Sequence, residues 1–147
     1  MARFTHAMDP QEALFQAAKR GHDEDLEELL SGSFKVDVNK GDAPSGNTAL
    51  HYAAAADHTK SAFILLNKGA AIDARNKGQE TPLHRAAARG SLRTAKLLVH
   101  RGASLSAVDG AKQTPRMVAA KPELRDVLTE GAVIEWEERN LEDEDST

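Results

Sequence analysis

Thr81-Pro82-Leu83-His84-Arg85-Ala86-Ala87-Ala88-Arg89-Gly90, continued by Ser91 to His100 and Arg101-Gly102-Ala103, is the stretch that decides the fold. Thr81 can cap a helix, because its hydroxyl can accept a hydrogen bond from an orphan amide of the first turn. Pro82 suits the next position, since its φ is already helical and it has no amide to leave unpaired. Leu83, Ala86 and Ala87 then share one face at helical spacing, and the alanines are small enough for another helix to approach closely. Gly90 supplies a left-handed turn that ends the helix. A second amphipathic run follows, with Leu92, Ala95, Leu98 and Val99 inward, and Gly102 stops it in the same way. The unit is a hairpin of two helices, each about two to three turns long.

The unit recurs. Thr48-Ala49-Leu50-His51 stands 33 residues before Thr81-Pro82-Leu83-His84, and Thr114-Pro115 stands 33 residues after it. Gly69-Ala70 and Gly102-Ala103 keep the same step. A 33-residue period carrying Thr-Pro-Leu-His and paired alanines resembles the ankyrin repeat. The resemblance implies an all-α solenoid of about four helix-turn-helix repeats, at approximately 9–46, 47–79, 80–112 and 113–136, the first and last acting as caps. Residues 1–8 read as a leader without helical period and 137–147 as an acidic, disordered tail. The third copy's His-Arg-Ala-Ala-Ala-Arg-Gly is also similar to a stretch of the gankyrin-type ankyrin-repeat proteasome assembly chaperones.

The outer copies depart from the pattern. Asp9-Pro10-Gln11-Glu12 offers an N-cap, a first-turn proline and a capping-box acid, followed by Ala13, Leu14, Ala17 and Ala18 on one face and Gly21 at the end. Leu14 precedes Leu50 by 36 residues, three more than the period, and the surplus falls between Ser31 and Gly46, a lengthened loop. In the second copy Asp57 stands where the others have Gly21 and Gly90. If positive φ is needed there, Asp adopts it at a cost of about 1 kcal/mol, so this turn is expected to be weak. Lys77-Gly78 and Asp109-Gly110 can turn the fingers between repeats. In the fourth copy Arg116 replaces the core leucine, Pro122 follows soon after, and Gly131-Ala132 arrive four residues early. A polar outer face suits a cap. Val133, Ile134 and Trp136 are expected to fold back on the last helix pair.

Composition narrows the function. The chain has 147 residues and only 4% aromatics, so its core must come from Leu, Ala, Val and Ile. The absence of cysteine rules out disulfides and thiolate metal sites. Neither a signal peptide nor a membrane-spanning run is apparent, so a cytoplasmic or nuclear location is expected. The net charge of −4 is uneven: Val133 to Thr147 holds seven acids and one base, leaving residues 1–132 at +2.

No sequence signature of a catalytic nucleophile, zinc site or phosphate loop is present. His51 and His84 fill the fourth place of the repeat motif, where a hydrogen bond to backbone accounts for them without a metal. The expectation is no enzyme activity, no cofactor and no metal. The structural positions are Thr48, His51, Thr81, Pro82, Leu83, His84, Gly90, Gly102, Thr114 and Pro115. The family resemblance implies a partner along the exposed side of the first helices and the finger tips. Carried over position by position, that surface includes Lys19, Arg20, Tyr52, Arg75, Lys77, Arg85, Arg89, Lys112 and Lys121, with Glu80 as the acid among them. The expected partner is another protein with an acidic surface or peptide, bound on the concave face with Tyr52 as an amphipathic anchor. Nucleic acid and membrane are not expected, and the chain reads as a monomer. The alternative is an assembly chaperone for a proteasomal, ribosomal or histone-like client, using the stack and its acidic tail. For Glu142 to Asp145 the expectation is that it either occupies the basic groove until a partner displaces it or shields a basic client during assembly, a solubilising end being the plain alternative.

Overall fold

The structure, a computed structural model, describes residues 8–132 and Leu141. The expectations placed on Val133, Ile134, Trp136, the residue 1–7 leader and the acidic tail lie outside the described residues, save for Leu141 of the tail, which is helical and buried. Seven helices and no strand occur among the described residues: α1 (Pro10–Arg20), α2 (Asp23–Leu29), α3 (Ala49–Ala55), α4 (Thr59–Asn67), α5 (Pro82–Arg89), α6 (Leu92–His100) and α7 (Pro122–Val127). α1 and α2, α3 and α4, and α5 and α6 form three hairpins. Their first helices α1, α3 and α5 pack side by side in one layer, α2, α4 and α6 in a second, and α7 covers α6.

The alanine and leucine spacing produces this stack directly. Leu14, Ala18, Leu50, Ala53, Ala54, Leu83, Ala86 and Ala87 are fully or almost fully buried, as are Leu26, Leu65, Leu97 and Leu98 from the second layer. Alanines along the facing sides keep the first helices close, and the leucines fill the space between layers.

Helix ends follow the local chemistry. Thr48 and Thr81 each close a capping box: the threonine oxygen accepts from the amide three residues on, at His51 and His84, and each histidine ring accepts from the threonine amide at 3.1 Å. Asp9 caps α1 through the Glu12 amide, but the Glu12 carboxylate does not close a box and instead accepts from Gln16. Gly21 and Gly90 adopt φ of 71° and 74°, as terminators of α1 and α5.

Asp57 also takes positive φ, 58°. Its turn is better held than the sequence suggests. The Asp57 carboxylate accepts from the Thr94 amide and hydroxyl of the next hairpin, at 3.0 and 2.8 Å. The backbone strain therefore comes with two bonds that lock the second hairpin to the third.

The fourth repeat corrects the expected helix pair. Thr114 to Val118 forms turns, and the only helix of this unit among the described residues is α7. Two features explain it. Arg116 is exposed where Leu83 and Leu50 enter the core, so no apolar anchor holds a helix there. Pro122 also forces the preceding Lys121 into extended backbone, φ −129° and ψ 143°, which leaves too few residues for a stable helix before it.

Candidate functional site

The fingers are built on one repeated device. Asn76 accepts from the amides of Gly78 and Glu80, and Asp109 accepts from those of Ala111 and Gln113. Asp42 does the same work in the first finger, accepting from the amide and hydroxyl of Ser45. These side chains bend the chain without help from a helix, which is what short Asx turns do. The extended junction places one surplus residue after Asp42 and two before it: Asp42 lies 28 residues after Leu14, against 26 from Leu50 to Asn76. Finger then bonds to finger, the Lys77 amide to the Ser45 carbonyl and the Gly110 amide to the Gly78 carbonyl, each at 2.9 Å.

The two motif histidines stitch this frame together. Each Nδ1 faces its own capping threonine, while each Nε2 donates to a carbonyl of the next finger, His51 to Glu80 and His84 to Gln113, both at 2.8 Å. Because Nδ1 accepts from the threonine amide, the proton of the neutral ring belongs on Nε2. Both rings are completely buried. Burial holds the His51 pKa below the usual histidine value, against the opposing pull of the Glu80 carbonyl and carboxylate. With both nitrogens of each ring engaged, His51 and His84 do not form a metal pair. Among the described residues no group of three His, Asp or Glu could hold a metal ion.

The basic residues singled out from the sequence occupy the first helices, the fingers and the fourth-repeat turn, but they differ in what they do. Lys19 lies over the Tyr52 ring, 4.6 Å from its centroid, and Phe15 meets the same ring edge-on at 6.1 Å. The Tyr52 hydroxyl donates to Asp42. Burial opposes ionisation of Asp42, yet the hydrogen bonds from Tyr52, Ser45 and Asn47 together hold its pKa below the usual value. Burial and the Asp42 contact push the Tyr52 phenol up. Tyr52 is thus half-buried and already anchored within the chain.

Arg75 donates to the carbonyls of Gln79 and Val108, at 3.1 and 2.7 Å, and so ties two fingers. The Lys77 ammonium donates to the Ala43 carbonyl. Arg85 stands 3.8 Å from the Glu80 carboxylate, with both side chains about a third exposed, so the pair is worth little to stability. The side chains of Arg20, Arg89, Lys112 and Lys121 are exposed and have no hydrogen-bond or ion-pair partner among the described residues.

Asp42 is the member of this surface that the basic-residue pattern missed. The signal was present: Asp42-Ala43-Pro44-Ser45 is an Asx-turn sequence inside the lengthened loop. Together with Asp9, Glu12, Phe15, Lys19 and Lys40 it lines a cleft of about 320 Å³ beside the start of α1. This end of the surface has mixed charge.

A family model for ankyrin repeats matches three copies over residues 14–109, which stops short of the turn-forming fourth unit. The chain is 45% identical over 69 residues to the zebrafish palmitoyltransferase ZDHHC17 and 46% identical over 67 residues to the human one. Those stretches make up 47% and 45% of this chain, but only about a tenth of the length of either relative, 11% and 10%. The shared stretch is therefore about two repeats long. With the matched region spanning more than half of the chain and three helix hairpins formed, the protein belongs to the ankyrin-repeat family, whose repeats are typically non-enzymatic modules for binding other proteins.

Proposed function

We propose that the chain is an adaptor-type interaction module that captures an acidic segment of another protein along the first helices and finger tips. The observation that carries this reading is the sign of that surface. Lys19, Arg20, Arg75, Lys77, Arg85, Arg89, Lys112 and Lys121 are spread over it, although the whole chain carries −4. A field summed over several repeats steers an anionic partner even where each exposed pair contributes little. The stacked hairpins are rigid before binding, so little conformational entropy is lost on docking. We place the module in the cytosol or nucleus, acting as a monomer.

The test is affinity capture from a native lysate with the intact chain and with Arg85→Glu/Arg89→Glu, one position partly exposed and the other exposed, both outside the buried core. Circular dichroism should be identical for the two proteins. Proteins with acidic segments should be retained by the intact chain and lost from the variant. The same set recovered by both would overturn the reading.

A further inference from the structure

The structure divides the cations by what already occupies them. Lys19 is spent on an aromatic face, Arg75 on two carbonyls, Lys77 on a third, and Arg85 faces Glu80. Arg89 and Lys121 have no such occupation, although they are 32 residues apart in sequence. The fold places them at one spot: the Lys121 side chain lies across Gly90, the residue after Arg89. A methyl group built on Gly90 would sit 2.8 Å from the lysine Cε and 3.4 Å from its ammonium nitrogen. That position is held from the backbone, since the Ala120 amide donates to the Ala87 carbonyl of α5 at 2.9 Å.

The equivalent junction one end earlier shows what this contact usually does. His58 covers Gly21 as Lys121 covers Gly90, but the His58 ring reaches on to the Lys19 carbonyl at 3.1 Å. In the intermediate junction Ser91 likewise bonds the Ala55 carbonyl. At the last junction the covering side chain keeps its charge for the surface.

Resting on the reading of an acidic partner, we infer that Arg89 and Lys121 form the subsite where adjacent Asp or Glu residues of that partner are read. Lys19, Arg75 and Lys77 hold the frame, and Arg20, Arg85 and Lys112 contribute only general attraction. Two neighbouring cations supplying a planar fork and a point charge suit a pair of carboxylates.

The test uses the full chain and a fluorescein-labelled octaglutamate peptide, with anisotropy measured at low salt. Arg89→Gln and Lys121→Gln should each weaken binding about tenfold, the scale of a lost charge-assisted hydrogen bond. Lys19→Gln and Lys77→Gln should stay within about twofold, the scale of a weak exposed contact. Similar losses for all four variants would overturn the subsite while leaving the acidic-partner reading intact. No binding by the unaltered chain would overturn that reading itself. One further arm identifies the occupant: the chain carrying Glu142→Gln, Asp143→Asn, Glu144→Gln and Asp145→Asn should bind the peptide as the unaltered chain does. A clear rise in affinity would assign the subsite to the chain's own acidic tail and overturn its assignment to a partner.

Discussion

The third and fourth repeats open with the same Thr-Pro and fold differently. In the third, Leu83 enters the core and the His84 ring joins its own helix start to the next finger, so eight residues form α5. In the fourth, Arg116 takes the leucine place and Met117 the histidine place. The Met117 sulfur does meet the Thr114 amide at 3.5 Å, an imitation of the capping contact, and the Thr114 hydroxyl accepts from the Met117 amide at 3.4 Å. A turn forms and no helix follows. A cap signal starts a helix only where a buried side chain holds the first turn against a neighbour.

The largest effect expected from this comparison comes from exchanging the two fourth-position residues with alanine. His84→Ala removes a buried ring and its bond to the fourth finger, and should cost about 2–4 kcal/mol in urea unfolding. Met117 is 65% exposed, and Met117→Ala should change stability by no more than about 0.5 kcal/mol. Equal losses would mean that the collapsed repeat is packed as tightly as the formed one.

A next, smaller effect is expected where the second hairpin meets the third. Asp57→Ala keeps a side chain at positive φ while removing both bonds to Thr94, and should lose about 1–2 kcal/mol. Asp57→Gly relieves the backbone but forfeits the same bonds. If glycine proves more stable than aspartate in the same denaturation series, the cross-repeat bonds are worth less than the strain.

Acid should separate the complete repeats from the collapsed one. His51 is held neutral below its usual value of 6.5, so the unfolded chain takes up a proton before the folded one does. Its contribution to stability is complete above pH 6.5 and declines as the pH falls through and below that value. Urea unfolding at stepped pH should show this decline, and His51→Gln should flatten it. The smallest change is expected from Arg116→Leu. With Pro122 still setting Lys121 extended, the helical circular dichroism signal should not rise, and stability should move by less than about 0.5 kcal/mol. A rise in helicity would identify the missing leucine, rather than the proline, as the barrier.

Much of this frame was legible in the residues because its causes are local. Thr48, Thr81, Gly21 and Gly90 act on amides and carbonyls within a turn of themselves, and a 33-residue period repeats the same local solution until the alanines and leucines interlock. The extra loop length before Asn47 and the polar Arg116 were equally readable. Charge type along the exposed face was readable too, because exposed positions follow from the register of the buried ones.

The sequence could not say which cations were already engaged. Arg75 reaches Val108 across a finger, and Lys77 reaches Ala43 across another. Tyr52 is claimed by Asp42, and Asp57 finds its partners 37 residues away at Thr94. The pairing of Arg89 with Lys121 over Gly90 depends on how one hairpin is set against the next. Apart from Tyr52 and Asp42, which are 10 residues apart, such contacts join residues about one period apart or more, and their geometry is fixed only when the interlocked helices bring the two surfaces together. Periodicity therefore determined the stack, and packing between its units decided which of its charges remain free to meet a partner.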